Sequence, residues 1–117
     1  MITGMHSIVY ASDPDASRAF FRDVLRLPNV DLGHGWLIFQ QPQSELAVHP
    51  APEPGGSFQL FLMCDDITET MAELTARGAI FTAPVTQASW GLLTSIQIPG
   101  GGEIGLYEPR HRTAYDL

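Results

Sequence analysis

Residues 57–79, SFQLFLMCDDITETMAELTARGA, predict a β-strand followed by an amphipathic α-helix. The strand covers 57–64, where the side chains alternate between two faces. One of these faces carries Gln59, Phe61 and Met63. Asp66 is the predicted helix N-cap, because a carboxylate there accepts the free N–H groups of the first turn. Gly78 supplies the left-handed residue that ends the helix.

The first half of the chain repeats this order of elements. Residues 5–11 alternate like a strand, and Asp13 caps a predicted helix whose first residue is Pro14. This helix ends before Pro28, because a proline disfavours helical geometry in the residue that precedes it. Three short strands are predicted after each helix, over 30–32, 36–40, 45–49, 79–85, 90–98 and 103–108.

The spacing between the two halves is nearly constant. The helix caps Asp13 and Asp66 lie 53 positions apart (66 minus 13), and so do Phe21 and Leu74 (74 minus 21). We therefore interpret the chain as one α+β domain (1–117) that uses a βαβββ unit twice. One unit cannot bury both its helix stripe and its sheet face alone, so the two must pack together. The predicted parts are a first module at 4–50, a second at 57–109 and a loosely packed tail at 110–117.

Composition excludes several classes of partner. The 117-residue chain has a net charge of −7 and all six basic residues are Arg, which argues against nucleic acid or an anionic membrane as a partner. Cys64 is the only cysteine, so no internal disulfide is possible. No apolar run approaches the ~20 residues that span a bilayer. The N-terminus lacks a charged-then-apolar signal segment, so we expect a cytoplasmic protein.

Three stretches of the chain together resemble one known superfamily. They are MHSIVYASDPDASRAFFRDVLRLP (5–28), LMCDDITETMAELTARGA (62–79) and WGLLTSIQIPGGGEIGLYEP (90–109). The chain resembles the vicinal oxygen chelate superfamily, which includes glyoxalases, bleomycin-resistance proteins and extradiol dioxygenases. The resemblance implies that both modules form a curved sheet around a cavity, where a divalent metal usually chelates two oxygens of a small substrate. It also implies a homodimer.

The resemblance implies metal ligands at defined strand positions. His6 matches the ligand of the first strand in place and type. At the start of the fifth strand the usual His is replaced by Gln59, whose amide oxygen can still ligate a hard divalent ion. The last ligand is a Glu four residues before the proline of the final strand. Counting back from Pro109 gives Gly105, which has no side chain.

Two glutamates are candidates for the missing carboxylate. Glu103 lies two residues before Gly105 on the same strand face, about 6–7 Å away. Glu45 matches the ligand of the fourth strand locally, whereas pairing with the final strand puts Ala47 there instead. A site of His6, Glu45, Gln59 and Glu103 suits Zn, Mn, Ni, Co or Fe(II). Alternatively these side chains are simply solvated, and the protein holds no metal.

Three functions stay open at this point. The first is a cavity protein that binds a small, partly apolar molecule with a degenerate metal site, as the missing carboxylate suggests. The second is a divalent-metal enzyme in which Glu45 or Glu103 acts as general base. Glyoxalase-type lyase or isomerase chemistry is favoured over extradiol dioxygenase, which needs two His. The third is a non-catalytic dimeric module. The candidate pocket residues, each equally well explained as core, are Trp36, Phe61, Met63, Trp90 and Tyr107.

Overall fold

A four-stranded sheet from the second half of the chain forms the centre of the fold. The computed structural model describes residues 1, 5–51, 54 and 57–115. In chain order the elements are α1 (Pro14–Ala19) with a π-helical continuation (Phe20–Val24), β1 (Asn29–Asp31), β2 (Leu37–Phe39), β3 (Phe61–Met63), α2 (Ile67–Ala76), β4 (Thr86–Ala88), β5 (Gly91–Ile98) and β6 (Gly102–Pro109). In the part of the chain thus described, no helix is long and apolar enough to cross a membrane.

The strands of this sheet follow the order β3-β6-β5-β4. β3 runs parallel to β6, with Phe61 opposite Gly105. β5 and β6 form a long antiparallel hairpin over their whole length. The mixed α+β arrangement confirms the predicted fold class. The hairpin confirms the two strands predicted over 90–98 and 103–108.

The strand predicted over 79–85 is wrong in its position. Phe81 forms only an isolated bridge with Ile96, and the paired strand β4 follows later in the chain. Pro84 lies between the bridge and β4. Proline has no N–H to donate, so it interrupts the hydrogen-bonded ladder at this point.

Both helices begin where the sequence predicts. The Asp13 carboxylate accepts the N–H of Ala16 at 3.1 Å, and the Asp66 carboxylate accepts the N–H of Glu69 at 3.0 Å. Gly78 follows α2 with a φ of +97°, the left-handed geometry that glycine adopts without a steric cost. Local capping signals therefore fix both helix starts and the end of α2.

The turn between β5 and β6 holds α1 in place. The carbonyl of Gly100 accepts the N–H of Asp13 at 3.2 Å, and the Ser17 hydroxyl donates to the carbonyl of Pro99 at 2.8 Å. A Cβ atom on Gly100 would lie 2.6 Å from the Cβ of Asp13, so only glycine permits this approach. The helix of the first half is thereby fixed onto the hairpin of the second half.

The hydrophobic core lies between the helices and one face of the sheet. It consists of Phe20, Ile67, Leu74, Ala79, Ile96, Ile98, Ile104 and Leu106. Burial of each large aliphatic side chain stabilises the fold by about 1.5–3 kcal/mol. Leu106 points into this core. Because side chains alternate along β6, Gly105 and Tyr107 on either side of it lie on the opposite face of the sheet.

The first half of the chain forms much less sheet. β1 and β2 pair only with each other. The strands predicted over 5–11 and 45–49 have no ladder, and β3 covers less than the predicted 57–64, so these predictions are wrong in whole or in part. A strand requires a neighbour to satisfy its N–H and C=O groups, and within the described ranges neither 5–11 nor 45–49 has one. The division into two modules stays a prediction.

Candidate ligand site

The ring of Phe61 occupies the space of a side chain at Gly105, the position where the resemblance places a carboxylate ligand. The two residues are directly opposite each other on β3 and β6. A Cβ atom built on Gly105 would overlap the Phe61 ring. Glycine at 105 is therefore required by the close approach of this ring. A carboxylate at the same position could be accommodated only if the ring moved away.

Three aromatic rings form a cluster on the side of the sheet that faces away from the helices. The ring centroids are 5.9 Å apart for Phe61 and Trp90, 5.6 Å for Phe61 and Tyr107, and 5.1 Å for Trp90 and Tyr107. All three pairs are edge-to-face, a geometry that adds about 0.5–1.5 kcal/mol per pair beyond burial. We call the surface formed by Phe61, Trp90 and Tyr107 the aromatic face. All three residues belong to the predicted pocket set.

Two histidines that were not among the predicted site residues lie at the edge of the aromatic face. The ring of His49 meets Trp90 edge-on, with 6.3 Å between centroids. The ring of His111 stacks on Tyr107 at 6.2 Å with an interplanar angle of 26°. Both come from segments without regular secondary structure. No periodic pattern in the sequence around them signals this placement.

Tyr107 is buried on the face of the sheet opposite the hydrophobic core. Only 7% of the residue is exposed, and its hydroxyl donates a hydrogen bond to Oε1 of Glu45 at 3.0 Å. Burial raises the pKa of Tyr107 to about 12, and the hydrogen bond to Glu45 and the negative charge of that residue act in the same direction. The phenol is therefore a neutral hydrogen-bond donor at neutral pH.

Glu45 connects the aromatic face to the C-terminal tail. Its Oε2 accepts the N–H of Ala114 at 2.8 Å, and Nε2 of His111 lies 3.7 Å from its Oε1. The hydrogen bond from Ala114 is the main cause that lowers the pKa of Glu45; burial opposes it, and Tyr107 and His111 reinforce it. The loosely packed tail over 110–117 stays a prediction; within its described part, 110–115, Ala114 is tied to a carboxylate far away in the sequence, and residues 116 and 117 lie outside the described residues.

The predicted metal ligands do not form a metal-binding group. His6, Gln59 and Glu103 are exposed, whereas Glu45 is bound to Tyr107 and the tail. Across the described residues, no three His, Cys, Asp or Glu side chains are placed so that they could hold a metal ion. The Phe61 ring also fills the space of a side chain at position 105. The described residues therefore do not fit the divalent ion that the resemblance implies. The ligand set and the catalytic roles of Glu45 and Glu103 stay predictions.

The remaining predicted site residues, Glu103, Met63 and Trp36, lie in three different parts of the fold. Glu103 lines a groove of about 590 Å³ beside the β5–β6 turn. Met63 is half-buried and lies opposite Tyr107 in the register of β3 and β6. Trp36 is 61% exposed, and the guanidinium of Arg18 lies 4.8 Å from its ring centroid. Within the described ranges, Trp36 makes no ring contact with the aromatic face.

This chain is similar to known proteins in its three-dimensional structure. No protein-family model matches the chain, and no curated protein matches it significantly. A member of the glyoxalase/bleomycin resistance protein/dioxygenase superfamily from Sphaerobacter thermophilus matches with 25% identity and a TM-score of 0.63. The match covers 92% of this chain and 98% of that chain.

Two further solved structures are similar over nearly the same length. The antibiotic-binding protein TnmS3 from Streptomyces sp. CB03234 is 23% identical with a TM-score of 0.61, covering 92% of this chain and 99% of that chain. A lactoylglutathione lyase from Agrobacterium tumefaciens is 22% identical with a TM-score of 0.62, covering 91% of this chain and 92% of that chain. The resemblance seen in the sequence is therefore confirmed: the chain has the fold of the glyoxalase/bleomycin-resistance/dioxygenase (vicinal oxygen chelate) superfamily.

Proposed function

We propose that this protein binds a small molecule with a planar aromatic part on the aromatic face, without a metal ion at position 105. The observation that carries this proposal is the Phe61 ring in the space of a side chain at Gly105. This ring puts an apolar, polarizable surface where the resemblance places a charged metal ligand. Aromatic rings favour edge-to-face and offset-stacked partners, so a planar aromatic ligand has complementary contacts there.

Polar groups at the edge of the aromatic face give such a ligand a preferred orientation. The Glu45 carboxylate, the Tyr107 hydroxyl and the His49 imidazole all lie beside the rings. Small-molecule sites typically combine apolar walls with a few polar groups of this kind. The similar structure from Streptomyces is described as an antibiotic-binding protein, which supports small-molecule binding on this fold.

The test is a titration with 2-naphthol, followed by the indole N–H signals of the two tryptophans in nuclear magnetic resonance spectra. Trp90 belongs to the aromatic face and Trp36 packs against Arg18 instead. We expect saturable shifts of the Trp90 signal and no saturable shift of the Trp36 signal. The matched control ligand, decahydro-2-naphthol, has the same skeleton without π-electrons and should bind at least ten-fold more weakly, since it forfeits ring contacts worth roughly 0.5–1.5 kcal/mol each.

Matched variants locate the site. Trp90→Leu should weaken 2-naphthol binding about ten-fold, because it removes two of the three edge-to-face pairs. Trp36→Leu should leave the affinity unchanged. Equal shifts of both indoles, or no preference for the aromatic ligand over its saturated analogue, contradict the proposal.

The partner that we propose for the first half of the chain is a second copy of this protein. Its unpaired segments 5–11 and 45–49 expose Met5, Ile8, Tyr10, Leu46 and Val48, with Val48 at 91%. Exposed contiguous apolar surface and unpaired strand edges favour association. We expect a dimer by sedimentation at micromolar concentration and a monomer for Val48→Glu. Val85→Glu, a matched change in the second half, should stay dimeric; a monomeric wild type contradicts the proposal.

A further inference from the structure

We propose that residues 110–115, which we call the strap, form a movable wall of the ligand site, and that Glu45 is the residue that holds this wall closed. The inference deepens the proposed function and rests on it for the identity of the site. The contacts of the strap itself are independent of any ligand.

The strap leaves the end of β6 and turns back over the aromatic face. Its first residue extends the hairpin, because the N–H of Arg110 donates to the carbonyl of Trp90 at 2.9 Å. The next residue lays its imidazole on the ring of Tyr107, in the stacked geometry given above for His111. Phe61 and Trp90 approach the same Tyr107 ring edge-on. His111 of the strap therefore covers one side of the Tyr107 ring.

One carboxylate joins the strap to the sheet. Oε1 of Glu45 accepts the Tyr107 hydroxyl, which belongs to the sheet, and Oε2 accepts the Ala114 N–H, which belongs to the strap. The Glu45 side chain is only 15% exposed, so these hydrogen bonds are partly shielded from water. Charge-assisted hydrogen bonds of this kind are stronger than neutral ones. Removing the charge should shift the closed-to-open equilibrium of the strap roughly ten-fold or more toward open.

The exposure of the three rings shows why the strap acts as a wall. Phe61 and Trp90 are half-buried, whereas Tyr107 is almost completely covered. A planar ligand that stacks on Tyr107 must take the place of His111, and this requires the strap to move. A ligand that enters therefore meets Phe61 and Trp90 first, and it reaches Tyr107 only after the Glu45 contacts break.

Limited proteolysis with trypsin tests the closure without any ligand. The chain has no Lys, so trypsin can cleave only after its six Arg residues, of which Arg110 and Arg112 lie in the strap. In Glu45→Gln we expect cleavage after these two residues to be at least ten-fold faster than in the wild type. Cleavage after Arg22, in the π-helical continuation of α1, and after Arg26 should keep its wild-type rate and serves as the internal reference.

A matched variant separates the loss of this contact from the loss of any acidic charge. Glu69→Gln makes the same chemical change at an exposed residue in the first turn of α2, and it should be cleaved like the wild type. Equal acceleration at all Arg sites in Glu45→Gln would mean that Glu45 stabilises the whole fold rather than the strap. That result, or unchanged cleavage after Arg110 and Arg112, overturns the proposal.

Exchange of 2-naphthol tests the consequence for binding. Line-shape analysis of the Trp90 indole signal gives the association and dissociation rates. In Glu45→Gln the association rate should rise about ten-fold and Kd should fall by a similar factor, because the ligand binds only when the strap is open and the open form becomes more populated. If the wild type binds 2-naphthol and Glu45→Gln leaves the association rate and Kd unchanged, the movable wall is wrong and the proposed function stands. If the wild type does not bind it, the proposed function fails and with it the gating role, while the trypsin result still decides the closure.

Discussion

The two halves of this chain carry the same sequence pattern and yet form different amounts of structure. The second half completes a four-stranded sheet and buries one face of it under both helices. The first half pairs only β1 with β2 and gives its helix to the core of the second half, where Phe20 packs with Ile96 and Ile98. A repeated pattern therefore determines where both helices begin, but not which strands find a neighbour.

The largest expected difference between the halves is in the cost of removing apolar side chains. Ile96 is fully buried, so Ile96→Ala should lower the free energy of unfolding by about 2–5 kcal/mol. Val48 is 91% exposed, and Val48→Ala should change it by less than about 0.5 kcal/mol. Urea denaturation at concentrations where the protein is monomeric measures both. Comparable losses would mean that the first half has a core of its own.

The next test concerns the contact between Phe61 and Gly105. Gly105→Ala forces a methyl group into the Phe61 ring and should destabilise the protein by about 1–3 kcal/mol. In a Phe61→Ala background the same substitution should cost much less, because the obstructing ring is gone. A double-mutant cycle by urea denaturation measures this coupling. Additive effects would show that the ring does not occupy this space.

Ionisation of Tyr107 links the halves and gives a pH dependence. Its pKa is raised to about 12 by burial and by Glu45 of the first half, against about 10 in an unfolded chain. Stability from this group is fully present below about pH 10 and is lost as the pH rises toward 12. Tyrosinate absorbance should show a late phase near pH 12 that disappears in Tyr107→Phe. In Glu45→Gln this phase should move to lower pH; an unchanged phase would mean that burial alone sets the pKa.

The smallest expected effect lies within the first half. Arg18 of α1 covers the ring of Trp36, and its side chain also pairs with Asp15 at 3.2 Å. Trp36→Leu should cost about 0.5–1 kcal/mol, the range for an exposed cation–π contact. The same substitution in an Arg18→Gln background should cost less. Thermal denaturation measures this difference. An equal cost in both backgrounds would mean that the contact between Arg18 and Trp36 does not stabilise the protein.

The features that the sequence predicts correctly depend on local signals. Asp13 and Asp66 cap the helices as expected, because a carboxylate accepts N–H groups only three residues away. The two long strands of the second half are also correct. The predicted strands over 5–11 and 45–49 fail because a strand depends on a distant neighbour, which alternation along the chain does not identify.

The candidate site was predicted only in part. Phe61, Trp90 and Tyr107 were predicted as pocket residues, and the structure brings them into one cluster. The contacts of Glu45 with Tyr107 and Ala114 could not be predicted, since the tail has no periodicity and lies far from Glu45 in the sequence. Likewise, the sequence shows a missing side chain at Gly105 but not the ring that takes its place.

The ring at 61 also constrains how this protein could change over evolutionary time. Introducing an acidic residue at 105 by itself would produce a steric conflict rather than a functional carboxylate. A carboxylate on this strand would need a smaller residue at 61 first, and that step removes two of the three edge-to-face pairs. A route to a carboxylate at position 105 is thus at least two substitutions long and passes through a less stable intermediate.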